Sequence, residues 1–159
     1  MNPSENSELV PTTGRLLGID FGTVRVGIAI CDESQSIASP LETYNRRTDA
    51  LDTQYFQKLV TDHQVVGVVV GLPLHMSGDE SAKSAEARQY GNWLQSVTGI
   101  PVSWVDERYS TAFAREMLSG SNLSTKKRKE RLDKVAAQAI LMAYLESRER
   151  GMANVSVDD

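Results

Sequence analysis

The chain has 159 residues, a formal net charge of −4, 40% hydrophobic and 24% charged residues, and one cysteine. That balance excludes a disordered, fibrous or disulfide-stapled chain, and the length predicts one domain with its own core. It also argues against a generally basic coat for nucleic acid, although clustered acids and a local basic strip would cancel in the sum.

Residues 1–13 read as a disordered N-terminal tail, 14–149 as a single domain and 150–159 as a second disordered tail. No basic segment leads into an apolar stretch, and "VVGVVVGLP" (65–73) is too short for a bilayer, which takes about 20 residues. With Cys31 the sole cysteine, the expectation is a cytoplasmic protein with no membrane partner.

"RLLGIDF" and "VRVGIAICD" read as two strands joined by a turn at Gly22, and "IASPLETYN" as a third on the same meander. "TDALDTQYFQKLVTDH" predicts a helix capped by Thr48, with Leu51, Tyr55 and Leu59 on one side. "VVGVVVGLP" is a β-branched run of the kind buried on both faces of a parallel sheet. "GDESAKSAEARQYGNWLQSVTG" is helical, with Ala87, Tyr90, Leu94 and Val97 at helical spacing and Gly99 as its stop. "PVSWVDE" makes another strand, "STAFAREML" a short helix, and a last long helix runs from Ser124 to Arg148. The order βββαβαβαα predicts an α/β fold, a mixed five-stranded sheet with helices on both faces.

In such sheets ligands gather outside the carboxyl ends of parallel strands. Asp20, Gly71-Leu72-Pro73 and Asp106-Glu107 stand at those ends. The last helix has an apolar stripe of Ala136, Ala137, Ile140 and Tyr144, and Asp133 begins the same stripe one turn earlier. Packed antiparallel to the first strand, this helix brings Asp133 toward Asp20. Neighbouring strand residues point to opposite faces, so only one of Asp106 and Glu107 can join them. Glu107, at the tip and with the longer arm, is the choice, although the pattern alone leaves Asp106 open. Oxygen ligands without histidine or thiolate suit Mg²⁺ or Mn²⁺ better than zinc. Two such ions roughly 3.5–4 Å apart suit phosphodiester cleavage.

Basic residues Lys126, Lys127, Arg128 and Lys129 precede Asp133, either as a phosphate-binding strip or as a solvated face. Ser110 and Thr111 open a helix, where capping and phosphate contact are both open roles. Arg25 or Arg108 is a candidate for holding an adjacent phosphate.

"GIDFGTVRVGIAICD", "VVVGLPLHMSG", "VSWVDERYSTAFA" and "DKVAAQAILMAYL" together resemble the YqgF family over about residues 14–148. These are small proteins of the RNase H-like fold, described as Holliday junction resolvases and as pre-16S rRNA processing nucleases. The resemblance implies Asp20, Glu107 and Asp133 as the catalytic, metal-binding triad, with two Mg²⁺ or Mn²⁺ ions as cofactor. It puts Gly22, Thr23, Arg25, Gly27, Gly71, Pro73, Arg108, Ser110 and Thr111 in the family's signature segments. It implies a nucleic-acid partner: pre-rRNA, with ribosomal particles, or branched DNA in recombination as the alternative. Monomer and weak homodimer both remain open. RNase H-like nucleases often carry an acid on the fourth strand, and here that strand ends in Gly-Leu-Pro. Two rivals stand beside this reading. "GIDFGT" also resembles the first phosphate loop of actin-like ATPases and sugar kinases, which need two such domains to enclose ATP. A non-catalytic RNA-binding module for ribosome assembly would keep the acids for structure.

Overall fold

The computed structural model describes residues 10–73, 81–106 and 125–158. Strands β1 (Arg15–Asp20), β2 (Arg25–Cys31) and β3 (Ala38–Asn45) lead to helix α1 (Asp49–His63). Strand β4 (Val65–Leu72), helix α2 (Ala82–Thr98), strand β5 (Val102–Asp106) and helix α3 (Thr125–Asp158) follow. The short helix expected at 110–118 lies outside the described residues.

The five strands lie in the order β3-β2-β1-β4-β5. Short connections make β1–β2 and β2–β3 antiparallel, while crossovers make β1–β4 and β4–β5 parallel. Strand alternation divides the core in two. Leu17, Ile19, Val26 and Ile28 pack with Phe56 and Leu59 of α1 and with Tyr90 and Leu94 of α2. Leu16, Ala29, Cys31 and Val69 pack on the other side with Ala137, Ile140, Leu141 and Leu145 of α3. Helices therefore cover both faces, and β4, between them, is apolar on each.

The caps expected at Thr48 and Gly99 form, and Ser81 adds one that was not expected. Thr48 accepts from the Leu51 amide, Ser81 and Ser84 make a reciprocal capping box, and Gly99 ends α2 in the left-handed region at φ 71°. The buried face of α1 differs from expectation, being Asp52, Phe56 and Leu59 with Leu51 exposed. Asp52 tolerates burial because its Oδ1 accepts from the Tyr44 hydroxyl at 2.6 Å and the Arg47 amide at 2.9 Å. That pairing rolls the helix so that Phe56 meets Tyr44, Tyr55, Tyr90 and Trp93 ring to ring.

Helix α3 also departs from expectation. It continues to Asp158, beyond the Arg148 expected as its end. Gly151 weakens that stretch by about 1 kcal/mol and Asn154, Ser156 and Asp158 by less each, and no proline follows to stop the helix. Its buried residues include Val135, Ala137, Ile140, Leu141 and Leu145, with Ala136 and Tyr144 only partly covered. The residues just ahead of β1 are held against α3. Val10 is buried, and the Arg148 guanidinium donates to the Val10 and Pro11 carbonyls at 2.8 and 2.9 Å.

Candidate functional site

The site begins with two glycines. A Cβ at Gly18 would lie 2.7 Å from the Ala137 carbonyl oxygen and 2.8 Å from the Leu141 Cβ. One at Gly27 would overlap the Asp133 carbonyl. Glycine at these positions lets the backbone of α3 rest directly on β1 and β2. Gly27 pairs with Asp20 across the β1–β2 ladder, so both project to the face that α3 covers. From the Asp20–Gly27 level back to Gly18, α3 advances from Asp133 to Ala137 and Leu141. The helix thus runs antiparallel to β1, and its Asp133 end stands over the tip of that strand.

Arg25 lies two residues before Gly27 on the same face and donates from Nε to Asp133 Oδ2 at 2.9 Å. The two side chains are 32% and 24% exposed, so the pair is half-shielded yet reachable. The sequence reading offered Arg25 to a phosphate, whereas here it holds the acid.

Asp106, the last residue of β5, can be placed on a face of the sheet. Val105 belongs to the α3 side and Trp104 to the other, and Asp106 pairs with Leu72 in register. Alternation puts Asp106 with Trp104, on the face opposite Asp20 and Asp133. Glu107, Arg108, Ser110 and Thr111 lie outside the described residues. Among the described residues no three histidine, cysteine, aspartate or glutamate side chains gather closely enough to hold a metal ion. Lys127 is exposed in the first turn of α3, and Lys126, Arg128 and Lys129 belong to the same turns.

Asp20, Gly22, Thr23, Gly71, Pro73 and Lys83 line a cavity of about 340 Å³ at the carboxyl ends of β1 and β4. A Cβ at Gly22 would overlap the Arg25 carbonyl oxygen, so the tight β1–β2 turn needs glycine there. Its far side is tied by Arg46, whose Nη1 donates to the Gly22 and Thr23 carbonyls at 3.2 and 3.3 Å. Sequence reasoning passed over Arg46 and Lys83. In "NRRTD" and "SAKSAE" they have the pattern of solvated charges, and only the return of distant loops to one rim gives them a neighbour.

The donors described here, Asp20 and Asp133, are hard carboxylate oxygens, and a guanidinium already sits where a cation would compensate one of them. Cys31 is buried on the same face, its Sγ accepting from the Leu16 amide at 3.2 Å, and burial pushes its thiol up, away from the thiolate a soft metal needs. The donor set fits magnesium or manganese.

Comparison with known proteins agrees with this layout. A T. thermophilus RuvC in complex with Holliday junction substrate superposes with a TM-score of 0.53 at 14% identity, over 86% of this chain and 96% of that one, which shows the RNase H-like fold. A Rhodopirellula baltica protein named "Putative pre-16S rRNA nuclease" is 45% identical over 89% of this chain and 82% of its own length. A Koribacter versatilis protein of the same name is 37% identical over 85% of this chain and 88% of its own. The model of the RuvX family, described as Holliday junction resolvase, matches residues 14–147. With those motifs, that fold and relatives of this identity along nearly its whole length, the chain belongs to the RuvX family of nucleases.

Proposed function

We propose that this nuclease hydrolyses phosphodiester bonds at the 5′ end of pre-16S rRNA, with Asp20, Glu107 and Asp133 as its acidic triad. The observation that carries the reading is the convergence of Asp20 and Asp133, distant in sequence, over one glycine. Asp106 on the opposite face leaves Glu107 as the β5-end acid suited to join them. Mg²⁺ or Mn²⁺ held by these acids would neutralise charge on the phosphate and ease deprotonation of water.

The chain's own groups have separable tasks. Arg25 orients Asp133 and keeps its charge compensated until a cation arrives. Lys83, which lines the same cavity as Asp20, would take a non-bridging phosphate oxygen there. Lys126, Lys127, Arg128 and Lys129 would track the backbone leading to Asp133, giving steep salt dependence. Arg108, Ser110 and Thr111 complete the phosphate contacts in this proposal. The enzyme works in the cytoplasm on ribosomal precursor particles, as a monomer or weak dimer, and residues 14–149 form its single domain.

The test is cleavage of pre-rRNA leader fragments beside four-way DNA junctions by purified protein with Mn²⁺. Asp20→Asn is expected to reduce cleavage to the enzyme-free rate with little change in Tm. Retained turnover would remove the triad assignment. The second reading, resolution of branched DNA, is favoured by the family's description and by the RuvC-like fold. It predicts symmetric cuts in the junction and no action on the leader.

A further inference from the structure

A second cavity, of about 240 Å³, adjoins the one that holds Asp20 and shares Phe21 and Glu86 with it as a common wall. Its remaining lining includes Arg46, Asp49, Tyr90 and Trp93. Three aromatic rings stand together there. Phe21 and Tyr90 are 4.9 Å apart between centroids, and Tyr90 and Trp93 are 5.3 Å apart. The Arg46 guanidinium lies over Phe21 at 5.3 Å and over Tyr90 at 5.2 Å. This volume is below the roughly 300–1,000 Å³ of pockets for drug-sized ligands and matches the scale of a single ring system.

Tyr90 is 6% exposed, and its hydroxyl is fully buried with no hydrogen-bond partner among the described residues. The charges it feels first are Arg46 and Asp52, which line the same cavity. An unpaired buried hydroxyl is unfavourable, and phenylalanine would pack the same ring without it. The hydroxyl therefore calls for a partner, which would reach it once a group entering the cavity shifts the ring. Carboxylates of Asp49, Asp52 and Glu86 outnumber Arg46, whose Nη1 already serves the Gly22 and Thr23 carbonyls. A phosphate would be repelled here. A flat uncharged heterocycle would lie against the partly exposed Phe21 and Trp93 rings, and its N–H groups would meet the carboxylates.

We infer that this cavity is a base pocket, which takes one unpaired nucleobase of the strand whose phosphate sits beside Asp20. The strand comes from the nuclease reading above, on which the inference rests. The pocket itself stands on its rings, its acids and the Tyr90 hydroxyl. Withdrawing one base from its stack would set the register of the cut, so the enzyme would read an unpaired position rather than a sequence.

The test uses the full chain carrying Asp20→Asn and a short single-stranded RNA scanned with one abasic site, binding being followed by fluorescence anisotropy. One abasic position next to the cut should weaken binding by about five- to tenfold. Tyr90→Phe should weaken the intact strand several-fold, leave the abasic strand unchanged and not lower Tm. The pocket is overturned if every abasic strand binds like the intact one. It is equally overturned if Tyr90→Phe lowers Tm while binding stays the same, since the hydroxyl would then be structural. Cleavage by the unsubstituted chain, run in parallel, separates the two readings. No cleavage with the abasic penalty kept would refute the nuclease and support the pocket; cleavage without the penalty would do the reverse.

Discussion

The two faces of the sheet are packed by opposite means. Toward α3 the contacts are small, with Gly18 and Gly27 under the helix backbone and Ala29, Cys31 and Ala38 around them. Toward α1 and α2 the core is bulk, built on Phe56, Tyr44, Tyr90 and the leucines and valines that surround them. Backbone resting on backbone has no soft side chain to absorb an error, so the α3 face positions Asp133 tightly against the Asp20 strand. A face of large rings leaves gaps between them, and there the second cavity opens. One face suits holding charges in register, and the other suits admitting a flat group.

The pair Gly27→Ala and Gly91→Ala would break this contrast most directly. At Gly27 the added methyl runs into the Asp133 carbonyl, so α3 must lift, costing about 3 kcal/mol and taking cleavage with it. At Gly91 the methyl would meet Trp104 ring atoms no closer than 3.1 Å, and alanine favours the helix. That change should stay within about 1 kcal/mol and leave activity per folded molecule unaltered. Equal costs in chemical denaturation would show that the two faces are not packed differently.

Arg25→Gln sharpens the same contrast at a smaller scale. A half-exposed ion pair contributes under about 1 kcal/mol to stability. Its removal takes a competing cation away from Asp133, so Mn²⁺ affinity measured by titration calorimetry or EPR should rise several-fold. Unchanged affinity would mean that Arg25 and the metal do not share the carboxylate.

The smallest effect is expected at the far end of β2. The Ile37 amide, the Ser34 hydroxyl and the Ser36 amide donate to Asp32 and hold its carboxyl down at about 2, from 3.8. A depressed folded-state value stabilises above the unfolded value, and the gain disappears as pH falls through about 2. The Tm difference between the parent chain and Asp32→Ala should accordingly be constant above 3.8 and close by about 2. Cleavage per folded molecule should not respond, because this turn joins the strand ends remote from Asp20.

Much of this was readable along the chain because it is local. Alternation in "RLLGID" and "RVGIAIC", the Thr48 start and the Gly99 stop are written in neighbouring residues, and each forms as its pattern predicts. The direction of α3 was legible too, since Asp133 heads the segment that meets the sheet. The roll of α1 was not, because it depends on Tyr44 and Arg47 satisfying Asp52 from another element. Nor was the Arg25–Asp133 pair, in which two charged residues with ordinary surface patterns meet only once Gly27 lets the helix down. Nor was the face taken by Asp106, which needed the β4–β5 register.

By itself the sequence determined the described elements, their order, the family and the acids at strand ends, since periodicity, capping and motif are short-range properties. Only the tertiary structure decided which charges became neighbours and where a cavity opened, since burial and electrostatic pairing depend on distances that no spacing along the chain encodes.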